Sequence, residues 1–340
     1  MIAVDANGAD QGPAAVAEGA RRAGLPVLLF GPAAEVSGVA GPRTEVVDAP
    51  RTVTTDGAPV AAVRSGRDAS IVLAARAVAE GRADALVSAG STGPTLAAAT
   101  LAIKRLRGVH RPALAALLPI PSGPVLLLDA GASVEVRPEH LMQFAYMGAC
   151  FMEAVVGVER PRVGLLSVGE ESGKGTPDVL EAHDRLTAGD INFIGNVEGF
   201  DLPAATADVV VTDGFTGNVA LKVLEGTSRT VRDTIRDAVR SGPISSVGGL
   251  LIRAKVARLR DQVDPERVGG AILLGLRKPV VVAHGSFGPN GIEHAVRLAG
   301  RAVDEDMVGR TADALAAAGV LRSAPTGSVD AVTPERVEGG

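Results

Sequence analysis

A lysine flanked by glycines sits in GEESGKG, residues 169–175, directly after the apolar run VGLL. Glycines leave backbone N–H groups accessible and Lys174 adds a point charge, so this loop is equipped to meet an anion. It is not a nucleotide P-loop, which needs four residues between its first glycine and the Gly-Lys pair, then Ser or Thr. Here three residues separate Gly169 from Gly173, and Gly175 follows Lys174. His284 follows VVVA and precedes Gly285 and Ser286, a strand-end position suited to proton transfer or oxyanion stabilisation. In DGFTGN (213–218) an apolar run ends and a helical pattern opens. Asp213 there is a cap or an orienting group, Gly217 lies in the turn, and Asn218 lies near the helix start.

Three further loops of the same type carry side chains that could line a site. IAVDANGAD (2–10) offers Asp5, Gly8 and Asp10. ALVSAGSTG (85–93) offers Ser88, Gly90, Ser91, Thr92 and Gly93, and VLLLDAGAS (125–133) offers Asp129 and Gly131. Short polar residues after a strand also satisfy turns and caps, so each position holds either a ligand or only its own loop. Of the other histidines, His140 supports a helix start, while His110, His183 and His294 read as surface or packing residues. Cys150 lies inside FAYMGACFMEA, where a thiol is a small buried hydrophobe rather than a nucleophile. No HExxH, CxxC or tight carboxylate cluster argues for a metal, and no G-x-S-x-G elbow marks a serine nucleophile.

All six loops follow short, continuous apolar runs rich in β-branched residues. Such runs read as strands buried on both faces, as in a mostly parallel sheet. In those sheets ligands lie beyond the carboxyl ends of the strands, so the expectation is one anion-binding cleft built from several strand ends. Helical patterns alternate with the strands at Gly12–Arg22, 69–83, 137–157, 219–241, 294–308 and 309–320, and LPVLLFG (25–31) adds a strand. The fold class is therefore α/β. Residues 1–322 read as a single α/β domain with a helical excursion near 240–270, and 323–340, rich in Ser, Pro, Thr and Gly, read as a disordered tail.

Composition narrows the function. Aromatic residues are 2% of the chain, which argues against recognition of single-stranded nucleic acid by stacking. A net charge of −5 points away from a general nucleic-acid binder. One cysteine excludes an intrachain disulfide and fits a reducing, cytoplasmic setting. No apolar stretch is long enough to span a membrane. The segment GGLLIRAKVARLRDQV (248–263) is different: Leu251, Ile252, Val256, Leu259 and Val263 share a helical stripe beside Arg253, Lys255, Arg258 and Arg260. A basic amphipathic helix can lie on an anionic membrane, and a packed or dimer-forming helix has the same pattern.

In order along the chain, IAVDANGAD, RDASIVLAARAVAEGRADALVSAGSTG, RPEHLMQFAYMGA, PRVGLLSVGEESGKG, INFIGNVEGFDLP, ADVVVTDGFTGNVALKVLEG and GGAILLGLRKPVVVAHGS resemble one family. It is the phosphate acyltransferase family of bacterial phospholipid synthesis (PlsX type), and the resemblance covers about residues 1–308. It implies a three-layer α/β/α fold like those of isopropylmalate dehydrogenase and phosphotransacetylase. It also implies transfer of a fatty acyl group from acyl carrier protein to inorganic phosphate, with no cofactor and no metal. A homodimer, peripheral membrane contact through 248–263 and delivery to a membrane acyltransferase are implied too. On that basis Lys174 and the glycine-rich amides, Gly173 among them, are assigned to phosphate. His284 and Asn218 are assigned to the thioester oxygen or the leaving thiol, and Asn196, Glu198 and Ser286 join the substrate-binding set. Alternatives are a non-catalytic acyl-carrier or acyl-ligand binding protein and a coenzyme A-dependent phosphotransacetylase. This chain departs from the family pattern at Asn7 and Ala9 (family Met and Gly), Ser91 and Ser133 (family Asn), and Phe287 (family Ser).

Overall fold

The computed structural model describes residues 1–53 and 57–322. The tail expected at 323–340 lies outside the described residues. The apolar runs become strands because their side chains are buried on both faces, as in β1 (Ile2–Asp5) and β2 (Val27–Gly31); the edge strand β3 (Thr44–Asp48) has no buried residue, and β4 (Ala85–Ser88), β5 (Ala113–Leu118) and β6 (Val125–Leu128) are again largely buried. They are followed by β7 (Val163–Leu166), β8 (Phe193–Val197), β9 (Val209–Val211), β10 (Ala271–Leu274) and β11 (Val280–Val282). All belong to one sheet of order β3-β2-β1-β4-β11-β10-β5-β6-β9-β7-β8.

Neighbouring strands are parallel except at β11–β10, β10–β5 and β5–β6. Three successive reversals leave β6, β9, β7 and β8 running opposite to β1, β2, β3, β4 and β11. This corrects the expectation of one cleft built from all six strand-end loops. The loops after β1, β4 and β11 leave one edge of the sheet, and those after β6, β7 and β9 leave the other. Three strands separate β11 from β9, so their ends lie roughly 20 Å apart by strand spacing alone.

Helices cover both faces, giving three layers. One face carries helices Pro13–Ala23, Pro138–Phe151, Pro289–Asp304 and Met307–Ala317, whose Val16, Phe144, Met147, Val296 and Met307 join the main core. The other face carries Ser70–Ala79 and Thr92–Ala102 over one half of the sheet. Over the second half lies the start of Gly214–Arg240, with Ala220, Leu221 and Leu224 on a smaller cluster. Pro138 opens its helix, and His140 accepts from the Arg137 N–H through Nδ1 at 3.1 Å, matching the expected helix start. The excursion near 240–270 is helix Pro243–Gln262, which packs back along Gly214–Arg240 and has no buried residue. No helix among the described residues is long and apolar enough to cross a membrane.

Candidate active site

At the first edge the loops after β1, β4 and β11 are locked together. Asp5, ending β1, is 2% exposed; it accepts from Ser88 Oγ at 2.8 Å and from the Asn7 N–H at 3.3 Å. Ser88 Oγ in turn accepts from the Gly90 N–H at 3.1 Å and bonds Thr95 Oγ1 at 3.2 Å. Burial pushes the Asp5 carboxyl up to about 6, against the hydroxyls of Ser70 and Ser88 and the Asn7 amide, which favour its ionised form. Gly8 has φ +87°, and a Cβ there would stand 2.9 Å from Gly90 Cα, so the first two loops touch backbone to backbone. The third loop is tied in by Asp10 N–H donating to Gly285 O at 2.9 Å and Gln11 Nε2 to Ser286 O at 3.3 Å.

His284 is exposed, and its Nδ1 accepts from the Ser286 N–H at 3.2 Å and lies 2.7 Å from Ser286 Oγ. An amide can only donate, so Nδ1 carries the lone pair and the neutral ring holds its hydrogen on Nε2, inferred from the network. At the same edge, Ser91 precedes helix Thr92–Ala102 with extended backbone and no side-chain cap, leaving the first-turn N–H groups of Thr92 and Gly93 without a capping side chain. A shallow open pocket lies beside Ser91, lined by Asp5, Asn7, Gly8, Ser70, Gly90 and Thr95, and His284 is not part of its lining.

At the second edge Asp129 is fully buried and holds its own loop. Its Oδ1 accepts from the N–H groups of Leu114, Gly131 and Ala132 at 2.9, 3.1 and 2.9 Å, and its Oδ2 from Ser133 at 2.7 Å. Burial pushes its carboxyl above the ordinary carboxylate range, while the four amides oppose that rise by favouring the ionised form. Asp213 caps helix Gly214–Arg240 by accepting from the Thr216 N–H at 2.8 Å and Thr216 Oγ1 at 2.6 Å. A Cβ on Gly217 would lie 2.0 Å from Asp129 O, so only glycine lets this helix start against the Asp129 loop. Asn218 is exposed beside Gly131, whose built Cβ would be 3.7 Å from Asn218 Oδ1.

Lys174 is exposed in the turn after β7. Asn196, 6% exposed on β8, donates from Nδ2 to Glu171 O at 2.9 Å and Lys174 O at 3.3 Å, and Ser167 Oγ donates to Lys174 O at 2.9 Å. Asn196 Oδ1 is buried with no partner among the described residues. The Glu198 N–H donates to buried Asp201, and nothing stands within 4 Å of a Cβ built on Gly173.

Asp5, Gly8, Asp10, Ser88, Gly90, Ser91, Thr92, Gly93, His284 and Ser286 thus gather at one edge. Asp129, Gly131, Lys174, Gly173, Asn196, Glu198, Asp213, Gly217 and Asn218 stand at the other. Lys174 and Asn218 therefore do not meet His284 within one chain. Ser70 and Thr95 escaped the sequence reading; the available signal was their position in first helical turns, Thr95 one turn after Ser91. The departures from the family pattern mostly point inward. Asn7 donates to Ala49 O at 2.8 Å, Ser133 is buried, and Phe287 is 5% exposed, packed where a Cβ on Gly291 would touch its ring. Asn7 and Ser91 both line the pocket, Asn7 buried and Ser91 exposed.

The chain is 44% identical over 315 residues to a phosphate acyltransferase from a Geobacillus strain, covering 90% of this chain and 96% of the relative. It is 47% identical over 263 residues to a phosphate acyltransferase from Elusimicrobium minutum, covering 77% of each. Among solved structures, a phosphotransacetylase from Streptococcus pyogenes aligns with TM-score 0.59 at 18% identity, covering 90% of this chain and 94% of that one. The EutD phosphotransacetylase from Staphylococcus aureus aligns with TM-score 0.56 at 17% identity, covering 89% and 94%. These two likenesses speak to the fold, and agree with the three-layer α/β/α arrangement. The model of a family described as fatty acid synthesis protein matches residues 1–310, and with these relatives it shows that the chain belongs to that family.

Proposed function

We propose that the protein is a phosphate acyltransferase that moves a fatty acyl group from the thioester of acyl carrier protein to inorganic phosphate, for phospholipid synthesis. The observation that carries this reading is the His284 loop. With Nδ1 engaged by Ser286, an exposed Nε2–H stands at the edge where helix Thr92–Ala102 opens uncapped and Gly8 meets Gly90 backbone to backbone. Phosphate is itself the nucleophile, so no acyl-enzyme is needed. The site has to hold it against the thioester and stabilise the charge that develops. A phosphate oxygen forms the C–O bond, the carbonyl electrons move to oxygen, and His284 Nε2–H donates to that oxyanion. Collapse restores the carbonyl and breaks the C–S bond; the thiolate leaves and takes up a proton.

Lys174 and Asn218 contribute from a second copy of the chain, because roughly 20 Å of sheet separates their edge from His284. A homodimer is further supported by helix Gly214–Arg240, where Phe215 (63% exposed), Val223 (61%) and Val231 (51%) leave apolar surface uncovered in one chain. The stripe on 248–263, with Leu251 80% exposed, suits peripheral membrane contact. The test is to incubate the protein with acyl-acyl carrier protein and phosphate and detect acyl phosphate as its hydroxamate. Formation with the carrier is expected. Turnover only with short coenzyme A thioesters, or binding with no turnover, would replace this reading with one of its alternatives.

A further inference from the structure

We infer that a cluster of exposed basic side chains beside the Asp129–Asn218 half-site is the docking surface for an acidic carrier protein; this rests on the acyl-transfer reading above. Hydrogen bonds assemble the cluster from separate parts of the chain. The Arg277 N–H donates to Lys104 O at 3.0 Å, and its Nε to Arg105 O at 3.2 Å. The Arg322 N–H donates to Gly108 O at 2.9 Å. Gln143, buried in helix Pro138–Phe151, accepts from the His110 N–H at 2.8 Å and donates to Gly108 O and Val320 O at 2.9 and 2.8 Å. This scaffold presents Lys104, Arg105, Arg107, Arg111, Arg277 and Arg322, all exposed. None of the six makes an ion pair among the described residues. Glu139, which lies in the field of His110, faces Arg185 at 3.6 Å instead.

Six unpaired cations on a chain of net charge −5 form an island of opposite sign. Such an island steers and orients an acidic partner rather than stabilising the fold. Its position gives that partner a task. Arg111 shortly precedes β5, and Leu114 on β5 bonds the Asp129 loop through both its N–H and its carbonyl. A thioester arriving on a carrier's arm enters beside the surface that seats the carrier. The His110 and His140 rings stand 5.5 Å apart and tilted at 55°, and His140 is buried, which disfavours base stacking by a nucleic acid.

The test is titration of labelled acyl-acyl carrier protein against the wild type, Arg107→Glu/Arg111→Glu, and Arg76→Glu, an exposed residue on helix Ser70–Ala79. The double variant is expected to raise Kd, and KM for the carrier, by about tenfold or more, and to weaken their salt dependence, with kcat and KM for phosphate changing less than about twofold. Arg76→Glu is expected to match the wild type. If the charge reversals disturb folding, Arg107→Gln/Arg111→Gln serves instead, with a smaller shift in the same direction. An unchanged carrier Kd in a folded double variant would overturn the proposal, and so would equal affinity for a DNA duplex lost in the same variant. Carrier binding at this patch without acyl phosphate formation would remove the reaction and leave the docking surface. Acyl phosphate formation with an unaltered carrier KM in the double variant would remove the docking surface alone.

Discussion

Asp5 and Asp129 are both carboxylates at strand ends, yet their partners give them different work. Asp129 meets four backbone amides and organises a loop. Asp5 meets one amide and the hydroxyls of Ser70 and Ser88, and burial lifts it from 3.8 to about 6. A raised folded-state value means that the folded protein holds the proton more tightly. The stability tied to Asp5 is therefore full below about pH 4 and lost as pH rises through about 6. Two units correspond to roughly 3 kcal/mol. Urea midpoints at pH 4 and pH 7 should show the wild type losing stability relative to Asp5→Asn by about that amount, and parallel curves would discard this account. For catalysis, Lys174→Ala and His284→Ala should each lower kcat/KM for acyl phosphate formation by about a hundredfold, the scale of one lost charge-stabilising group. Near-wild-type rates in folded variants would remove those two roles. Residue types were readable in the chain, but the inward turn of Asn7, Ser133 and Phe287 was not, since a loop residue's direction depends on neighbours far away in sequence.

Helix Gly214–Arg240 shows an element overriding its own propensities. The apolar period suggests a start at Val219, and glycines weaken a helix by about 1 kcal/mol each relative to alanine. The helix nevertheless begins at Gly214, capped by Asp213, because the Asp129 loop leaves no room for a Cβ at Gly214 or Gly217. Gly217→Ala should then destabilise by more than about 2 kcal/mol, against the gain propensity alone would give. Gly173→Ala has open space around it and should stay within about 0.5 kcal/mol of wild type, even though Gly173 belongs to the most motif-like loop of the chain. Thermal unfolding of the pair decides the matter, and equal effects would contradict the packing argument.

For the molecule as a whole, the informative feature is the paired helix Pro243–Gln262, which buries none of its residues in one chain. Its stripe of Leu251, Ile252, Val256, Leu259 and Val263 is 40–80% exposed beside Arg253 and Arg258. If this face meets an anionic membrane, Leu251→Glu should reduce co-flotation with acidic liposomes several-fold while leaving acyl transfer in solution intact. Identical flotation of the two proteins would withdraw the membrane reading. The amphipathic pattern was visible in the sequence; that nothing within the chain covers it was not.

Local pattern carried much of the result. Runs such as VLLL and VVV name their strands because burial on both faces demands continuous apolar residues, and the Gly, Asp and Ser clusters after them name the strand-end loops. The motifs, read in order, also pointed to the family. Strand direction was another matter. An apolar run reads alike in either orientation, and direction is set by pairing with β10 and β5, which turn the second half of the sheet around. Those long-range hydrogen bonds divided the six loops between two edges, leaving His284 on one and Lys174 with Asn218 on the other.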